Sequence, residues 1–395
     1  MPLLASKEKC NGCEACSNVC AHHAITFIED ECGFFYPNID EHKCVDCGLC
    51  QQKCPVLSPS NAFRIIEYND TICYGAHHND ERKVLLSASG GIARAIYEES
   101  ISQNRIVYGV RYADDFQYAY YQGTKTLDVI DSFAGSKYLM ARKHDIYKEI
   151  KRHLVKGELV TFVGLPCEVG ALYSVVGRNC DNLLTVELIC AGTGSYKMYR
   201  EILSHYEHRC KSKVANFTFR WKKLGWVPCF VKIIFQNKEQ ITDEYNFSLL
   251  GVGINCYKRL GCYHCIYKDE NRKADITIGD FWTLSPLEPS YNHWGTSVVF
   301  VRTEKGKTFF NQMHNITSLA VDKETAIRSN PAQLKRKNPI PPYRRLYEDY
   351  AICHGFVAAS QHFMPKRSWT VTLKQYIPGN VYRYVKLLGH ILKSL

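Results

Sequence analysis

The sequence contains no run of about 18 apolar residues, the length that a transmembrane helix requires. It also begins without the apolar stretch that marks a secretory signal peptide. Charged residues make up 23% of the 395 residues and hydrophobic residues 46%, which is ordinary for a soluble globular protein of two or three domains. These absences predict a cytoplasmic protein.

Disulfide bonds are rare in the cytoplasm, so the nineteen cysteines predict metal binding or redox chemistry. The net charge of +11 is compatible with an acidic electron carrier, an anionic cofactor, nucleic acid or a membrane surface as partner. No motif interleaves aromatic and basic residues as nucleic-acid recognition motifs do, and we expect no nucleic-acid partner.

Two cysteine runs near the N-terminus share the spacing Cys-x2-Cys-x2-Cys-x3-Cys: "CNGCEACSNVC" and "CVDCGLCQQKC". In tandem runs of this kind the fourth cysteine of each run binds the cluster of the other run. We therefore predict two 4Fe–4S clusters in a small bacterial-type dicluster ferredoxin domain over residues 1–60, and two complete runs disfavour the alternative of zinc or a disulfide framework. The predicted ligands are Cys10, Cys13, Cys16 and Cys54 for one cluster and Cys44, Cys47, Cys50 and Cys20 for the other.

Residues 61–315 alternate strand-like and helix-like segments, which predicts an α/β body with a mixed sheet. The predicted strands cover 106–112, 159–163, 183–189, 231–235, 275–279 and 297–301, and the predicted helices cover 92–103, 143–156, 168–176 and 195–208. A Gly-rich turn, Ser89-Gly90-Gly91, precedes the first of these helices. Free N–H groups at a helix start suit a phosphate, and an ordinary helix cap is an equally good interpretation.

Further cysteines occur in the body. Cys167 and Cys190 each follow a predicted strand, and Cys262 and Cys265 form a Cys-x2-Cys pair. A third 4Fe–4S cluster or a zinc site fits this set, with either Cys167 or Cys256 completing four ligands. Two alternatives stay open, namely four unrelated buried thiols and a nucleophilic role for Cys167 at a helix N-terminus.

Taken in order, these stretches resemble the beta subunit family of coenzyme F420 hydrogenases and dehydrogenases, a group of flavin and iron–sulfur oxidoreductases. The resemblance extends from residue 10 to about residue 306. Besides the cysteine runs it rests on "SASGGIARAIYEES", "FAGSKYLM", "VTFVGLPCEVGAL", "LICAGTGS", "RLGCYHC", "ADITIGDFW" and "GTSVVFVRTEKG". The chain departs from the family at Leu165 and Glu168, where the family often has threonine and glutamine.

The resemblance implies that the body binds FAD and a further 4Fe–4S cluster. It implies Cys190, Cys262 and Cys265 as ligands of that cluster, and it favours Cys167 over Cys256 as the fourth. The residues that it places at the flavin or its phosphates are Ser89, Gly90, Gly91, Ser136, Lys137, Tyr138, Gly164 and Pro166.

Clusters that lead to a flavin join one-electron supply to two-electron chemistry. We therefore predict an FAD- and 4Fe–4S-dependent oxidoreductase that passes electrons between a donor protein or reduced cofactor and a small organic substrate. The alternatives are a non-catalytic electron-transfer subunit of a larger redox complex and a zinc-and-cluster scaffold. Some bacterial members of the family are associated with surface-polysaccharide synthesis, which the resemblance makes a hypothesis for this chain. A homo-oligomer is compatible with the sequence.

Residues 316–395 are predicted to form a C-terminal extension. Its last 30 residues contain six Lys or Arg and no acidic residue, and apolar residues recur at helical spacing from Val381 to Leu395. This pattern predicts a basic amphipathic helix. Packing on the body is the favoured interpretation, and peripheral contact with a membrane surface is the alternative.

Overall fold

The computed structural model describes residues 1–59, 71–177, 180–269, 272, 274–335, 339–368 and 379–394. These residues form a small N-terminal ferredoxin-like domain and a mixed α/β body, so the predicted fold class is confirmed. The predicted domain boundary at residue 60 lies outside the described residues.

The N-terminal domain is built from two short helices and one hairpin. Helices α1 (Ala15–Val19) and α2 (Leu49–Gln52) each begin within a cysteine run. Strands β1 (Ile25–Glu29) and β2 (Phe35–Ile39) pair antiparallel, as the sequence between the two runs allows. Along the chain, one cysteine run therefore precedes the hairpin and the other follows it.

The body contains an eight-stranded sheet and a separate three-stranded antiparallel sheet among the described residues. The strand order of the large sheet is β13-β3-β12-β11-β7-β6-β4-β5, and that of the small sheet is β10-β9-β8. The strands are β3 Ile72–His78, β4 Ile106–Tyr112, β5 Ala119–Thr124, β6 Val160–Gly164, β7 Leu183–Leu188, β8 Val214–Trp221, β9 Phe230–Phe235, β10 Gln240–Glu244, β11 Ile276–Asp280, β12 Ser297–Val301 and β13 Ile316–Val321.

The four central strands of the large sheet, β11, β7, β6 and β4, run parallel to one another, and antiparallel strands flank them on both sides. Parallel strands place their carboxyl ends at one edge of the sheet, where ligands of α/β proteins usually bind. The loops that follow β6 and β7, which carry Cys167 and Cys190, therefore lie side by side at that edge.

Helices cover the sheet and fill the rest of the body. They are α3 Glu81–Leu86, α4 Ile92–Ser102, α5 Leu127–Ile130, α6 Ile146–Val155, α7 Pro166–Val176, α8 Tyr196–Cys210, α9 Leu249–Cys256, α10 Leu260–Tyr263, α11 Glu304–Asn311, α12 Lys323–Arg328, α13 Pro331–Leu334, α14 Pro342–His354, α15 Phe356–His362 and α16 Gly379–Ser394. Of the described helices, none is both long and apolar enough to cross a membrane.

Helix α7 lies at the centre of the molecule. Its residues are buried from Pro166 to Val175, as expected for a helix that is apolar on all sides. Val169 and Leu172 share a core cluster with Phe162 of β6 and with Ala15 of α1. The helix therefore packs between the large sheet and the ferredoxin domain.

The ferredoxin domain is joined to the body by a buried polar contact. Glu14 is 4% exposed, and its carboxylate accepts hydrogen bonds from Arg142 Nε at 3.0 Å and from the N–H groups of Lys143 and His144 at 3.2 and 3.1 Å. Asn18 donates to the His144 carbonyl at 2.8 Å. Since the Glu14 carboxylate and the Asn18 amide N–H both bond to groups of the body, the contact fixes the relative position of the two domains.

Helix α16 contacts the body on one side, where Tyr382 is partly buried near Glu244. On another side, the side chains of Val381, Tyr384, Val385 and Leu388 are 46–67% exposed. Leu395 lies outside the described residues.

Strand β13 begins at Ile316, the first residue of the predicted C-terminal extension, and forms an edge of the large sheet.

Candidate functional site

None of the nineteen cysteines is paired in a disulfide bond. In the ferredoxin domain, Cys10, Cys13 and Cys16 lie close enough to one another and to Cys54 for each charge to influence the others. We name these four residues the inner group. Burial raises the pKa of the Cys10, Cys13 and Cys16 thiols, to about 12 for Cys13, so that ionisation requires a metal or another strong counter-charge.

The second set, Cys20, Cys44, Cys47 and Cys50, is named the outer group. The pKa of Cys50 is raised by burial and also by the nearby charges of Cys47 and Cys20. Cys47 is exposed, and its neighbour Val45 is 58% exposed. The fourth cysteine of each run thus lies with the other run, which is the arrangement that the spacing predicts.

The body group consists of Cys167, Cys190, Cys262 and Cys265, which line one small cavity. Burial raises the pKa of Cys190 to about 12, and the neighbouring Cys262 and Cys265 add to the increase. Cys256 does not line this cavity, and the neighbouring charge acting on its thiol is that of Lys258. The structure therefore brings Cys167, not Cys256, to the other three cysteines.

The donor set of each group suits an iron–sulfur cluster. Each group has a backbone N–H directed at a sulfur: Gly12 to Cys10 Sγ at 3.4 Å, Ala24 to Cys20 Sγ at 3.3 Å and Gly192 to Cys190 Sγ at 3.3 Å. Such donors stabilise thiolates and cluster sulfurs. The ligation itself stays a prediction.

The local structure at Cys167 argues against a nucleophile. Cys167 lies in the first turn of α7, yet burial and the adjacent Glu168 both raise the pKa of its thiol well above the usual value. A reactive cysteine needs the opposite shift. Glu168 instead accepts a hydrogen bond from the Leu165 N–H at 2.8 Å and so fixes the start of the helix.

A second, larger cavity of about 380 Å³ opens at the carboxyl ends of the parallel strands. Its lining is mainly apolar, and its volume is within the range of small-molecule and cofactor sites. The two cavities share Leu165, Cys190, Gly192 and Thr193. A ligand in the larger cavity would therefore contact the wall that carries the body group.

Most of the residues that the resemblance placed at the flavin line this larger cavity. They are Ser89, Gly91, Ser136, Lys137, Tyr138 and Gly164. Gly90 lies behind the wall, where its N–H donates to Ser297 Oγ at 3.0 Å. Pro166 lines the cysteine cavity instead. The structure thus places six of the eight residues around one space and the other two beside it.

Lys137 has a different environment from a phosphate-binding lysine. Its ammonium donates to the carbonyls of Phe133 at 3.0 Å, Ala134 at 2.7 Å and Gly135 at 3.2 Å, and burial lowers its pKa to about 7. The side chain therefore organises the loop before it, which forms part of the cavity wall.

Sequence reasoning missed a polar network at the cavity. Arg220 binds the Asp280 carboxylate with two hydrogen bonds, at 2.8 and 3.1 Å, and also donates to the Tyr138 hydroxyl at 3.3 Å. Trp226 Nε1 donates to the same carboxylate at 3.0 Å. Asp280 and Trp282 stand out in the stretch "ADITIGDFW", but nothing in the sequence connects that stretch to Arg220.

The loop at Ser89 is also held by a lysine that follows a strand of the small sheet. Lys222, which follows β8, donates to the carbonyls of Ser89 at 2.6 Å and Val84 at 2.5 Å. Burial lowers the pKa of Lys222 well below its usual value. Together with Gly91, which has a φ of +83° at the start of α4, this lysine holds the Gly-rich turn open toward the cavity.

Two family models match the chain. Residues 157–326 match the model that describes the C terminus of the beta subunit of coenzyme F420 hydrogenase/dehydrogenase, and residues 9–57 match the 4Fe–4S dicluster domain. Residues 157–326 are thus similar to the C-terminal domain of the F420 hydrogenase/dehydrogenase beta subunit. The chain is an iron–sulfur electron-transfer protein related to the F420 hydrogenase beta subunit, and the sequence-based recognition is confirmed.

The individual proteins that this chain resembles are distant from it. An uncharacterized protein of Methanocaldococcus jannaschii is 27% identical over 339 residues, which cover 77% of this chain and 86% of the relative. The coenzyme F420 hydrogenase subunit beta of Methanococcus voltae is 24% identical over 247 residues, covering 60% of this chain and 79% of the relative. A chain of the F420-reducing NiFe hydrogenase complex from Methanosarcina barkeri has a TM-score of 0.47 and 17% identity, over 74% of this chain and 94% of that chain.

Proposed function

We propose that this chain is an FAD- and 4Fe–4S-dependent oxidoreductase that passes electrons between a one-electron donor and an organic two-electron acceptor. The observation that carries the proposal is the wall common to the two cavities, which includes Cys190. A flavin bound in the larger cavity would lie directly beside the body cluster. FAD supplies the exchange between one-electron and two-electron chemistry when it is bound.

The protein's own residues supply binding and orientation in this proposal. The N–H groups at the start of α4, next to Gly91, would face the flavin phosphates. Lys258 lines the larger cavity, and its charge lies near Cys190 and Cys262. Burial lowers the pKa of Lys258, while the neighbouring thiols oppose the decrease. This lysine is placed to attract the polar edge of a flavin ring.

Electrons would enter at the outer group, because Cys47 is exposed there, and would leave at the larger cavity. The partner at the entrance would be an electron-donor protein or a reduced cofactor. The substrate class beyond a small organic molecule, and a place in surface-polysaccharide synthesis, rest on the resemblance alone.

Anaerobic purification with iron, sulfide and flavin analysis tests the proposal. We expect about twelve irons for three four-iron clusters and about one FAD per chain. A preparation with full iron and no flavin would contradict the flavin part, and a colourless preparation would contradict the whole proposal.

A cavity-filling variant tests the place of the flavin. Ala134→Trp should fill part of the larger cavity, so the flavin content should fall while the iron content stays unchanged. Ala320→Trp, at an exposed position of β13 outside the cavity, is the matched control and should retain both. Flavin bound equally well by both variants would contradict this location.

The alternative function is that of a non-catalytic electron-transfer subunit. It is favoured by the match to a Methanococcus voltae protein whose name describes a subunit. Turnover of an artificial two-electron acceptor by the isolated chain distinguishes the two functions. Steady reduction of the acceptor supports the enzyme, and activity that requires an added protein subunit supports the relay.

We further propose that helix α16 contacts an anionic membrane surface. Its exposed apolar side chains at Val381, Tyr384, Val385 and Leu388 accompany a segment with six basic residues and no acidic one. Basic amphipathic helices of this kind lie at the boundary of lipid headgroups and acyl chains. A protein partner at the same face is the competing outcome of the vesicle test described below.

A further inference from the structure

One buried cation near the inner group is left without a counter-charge among the described residues. Arg259 is 1% exposed, and its Nε and Nη1 atoms have no hydrogen-bond partner in the part of the chain that the structure describes. Its Nη2 donates to the Phe35 carbonyl at 2.9 Å. Burial of an ionised group without a compensating charge is strongly unfavourable, so this guanidinium requires an anion other than the carboxylates of the described residues, none of which pairs with it.

The position of Arg259 identifies where that anion lies. The guanidinium packs against Gly12, where a methyl group in place of the hydrogen would lie 2.9 Å from Arg259 Cζ. Gly12 lies between Cys10 and Cys13 in the first cysteine run. Burial raises the pKa of the Cys10 thiol, and Arg259 is the strongest influence in the opposite direction.

Aromatic rings hold the guanidinium in this position. Arg259 Cζ lies 4.5 Å from the ring centre of Tyr36 and 5.3 Å from that of Phe34. These rings leave the guanidinium little freedom to turn toward solvent. The backbone of Arg259 belongs to the body, since its N–H donates to the Thr193 carbonyl at 3.0 Å and its carbonyl accepts from the Cys262 N–H at 3.0 Å.

A second buried cation, Lys143, shows by contrast why Arg259 stands out. The Lys143 ammonium also lies near the inner group, donating to the Gly12 carbonyl at 3.3 Å. It forms an ion pair with Glu168 at 2.9 Å, and both side chains are almost completely buried. The charge of Lys143 is therefore balanced within the protein, whereas no carboxylate among the described residues pairs with Arg259.

We propose that Arg259 is the counter-charge of the cluster predicted at the inner group, where its free N–H groups donate to cluster or cysteine sulfur and stabilise the reduced cluster. The inference rests on the cluster ligation of the proposed function. It makes Arg259 a positioning and tuning residue for transfer between the ferredoxin domain and the body. In this role, Arg259 would favour the gain of one electron by the inner cluster as the outer cluster gives one up, with no bond made and no proton moved.

Redox titration of the holoprotein followed by electron paramagnetic resonance tests this role. Arg259→Met should retain about twelve irons, and the midpoint potential of one cluster should shift to a lower value because a nearby positive charge and N–H donors are lost. The other two clusters should shift less. Arg345→Met, at a side chain that is 89% exposed, is the matched control and should leave all three potentials unchanged.

Ionic strength provides a second readout. A shift caused by a buried charge should persist at high salt, whereas an effect of surface charge is screened. Full iron content with unchanged potentials in Arg259→Met would overturn the inference, and so would a shift that disappears at high salt. If Arg259→Met loses iron, Arg259→Gln decides the question, because glutamine keeps N–H donors but carries no charge: a retained cluster with a lowered potential supports the inference, and an unchanged potential overturns it.

The proposed function and this inference fail in different ways. Wild-type protein without 4Fe–4S signals would remove the proposed function. Wild-type protein with full iron, combined with an unmoved potential in the variants, would remove the role of Arg259 alone.

Discussion

The inner and outer cysteine groups come from the same repeated spacing but lie in different surroundings. The outer group is near the surface, with Cys47 exposed and the Lys43–Asp40 ion pair at 3.2 Å in contact with solvent. The inner group has no exposed cysteine, its Cys10 and Cys16 are buried, and it lies beside Lys143 and Arg259 of the body. Identical spacing therefore gives one site suited to meet a partner and one suited to pass electrons inward.

The difference arises from the body rather than from the ferredoxin domain. Both cations beside the inner group come from body segments, one just before α6 and the other just before α10. Burial and charge act on a cluster potential in ways that a cysteine run alone does not determine. The two clusters predicted here should accordingly differ in potential and in accessibility.

The largest expected effect is the loss of a whole site from the body. Cys262→Ser should lose about four irons and leave the ferredoxin signals intact, because Cys262 lines only the body cavity. Cys256→Ser is the matched control and should retain full iron. Iron analysis and electron paramagnetic resonance measure both variants, and a loss of iron in Cys256→Ser would reverse the assignment of the fourth ligand.

The next effect concerns the buried ion pair between Lys143 and Glu168, which lies near the inner group. Lys143→Met should lower the free energy of unfolding by about 3–5 kcal/mol, because it leaves the buried Glu168 carboxylate without its cation. The double variant Lys143→Met/Glu168→Gln should recover part of this loss, since glutamine can still accept from the Leu165 N–H. Denaturant unfolding under anaerobic conditions measures both.

The outer group supplies the control for that experiment. Lys43→Met breaks an exposed ion pair and should leave the unfolding midpoint unchanged. Equal destabilisation by Lys43→Met and Lys143→Met would contradict the contrast between the two groups.

A smaller difference is expected in the order of cluster loss. An iron chelator or brief exposure to air should remove about four irons before the remaining eight or so, because only the outer group has an exposed cysteine. Removal of iron from all clusters at one rate would show that the burial of the inner group gives no protection.

The smallest effect on the fold should come from helix α16. Leu388→Glu should leave the unfolding midpoint unchanged, because the side chain is 59% exposed. The same substitution should abolish sedimentation with phosphatidylserine-containing vesicles. Wild-type protein that fails to bind such vesicles would contradict the membrane proposal and favour a protein partner for this face.

The sequence was informative where spacing is local. The cysteine runs, the predicted strands at 106–112 and 297–301 and the predicted helix at 92–103 agree with the structure closely, since each depends on a short repeated pattern. Six of the eight residues that the family resemblance placed at the flavin line the same cavity, so the resemblance also predicted where this cavity lies.

Contacts between residues far apart in the sequence could not be predicted from local patterns. Gly12 and Arg259 are separated by 247 positions, and no local pattern marks Arg259 as a buried cation. Lys137 matched a cofactor motif, but the carbonyls around its ammonium become visible only when the preceding loop is folded. The sequence shows which residues are charged, but only the folded structure shows which of these charges have a partner.

The fit between Gly261 and Cys10 has a consequence for how the molecule works. A single methyl group at Gly261 would lie 2.4 Å from the Cys10 carbonyl oxygen, so the two backbones touch with no spare room. Carrier domains that swing between a loading position and a delivery position need an interface that opens, and this one is closed at the level of the main chain. The rate of electron transfer between the ferredoxin domain and the body should accordingly be insensitive to solvent viscosity, because no domain movement is needed.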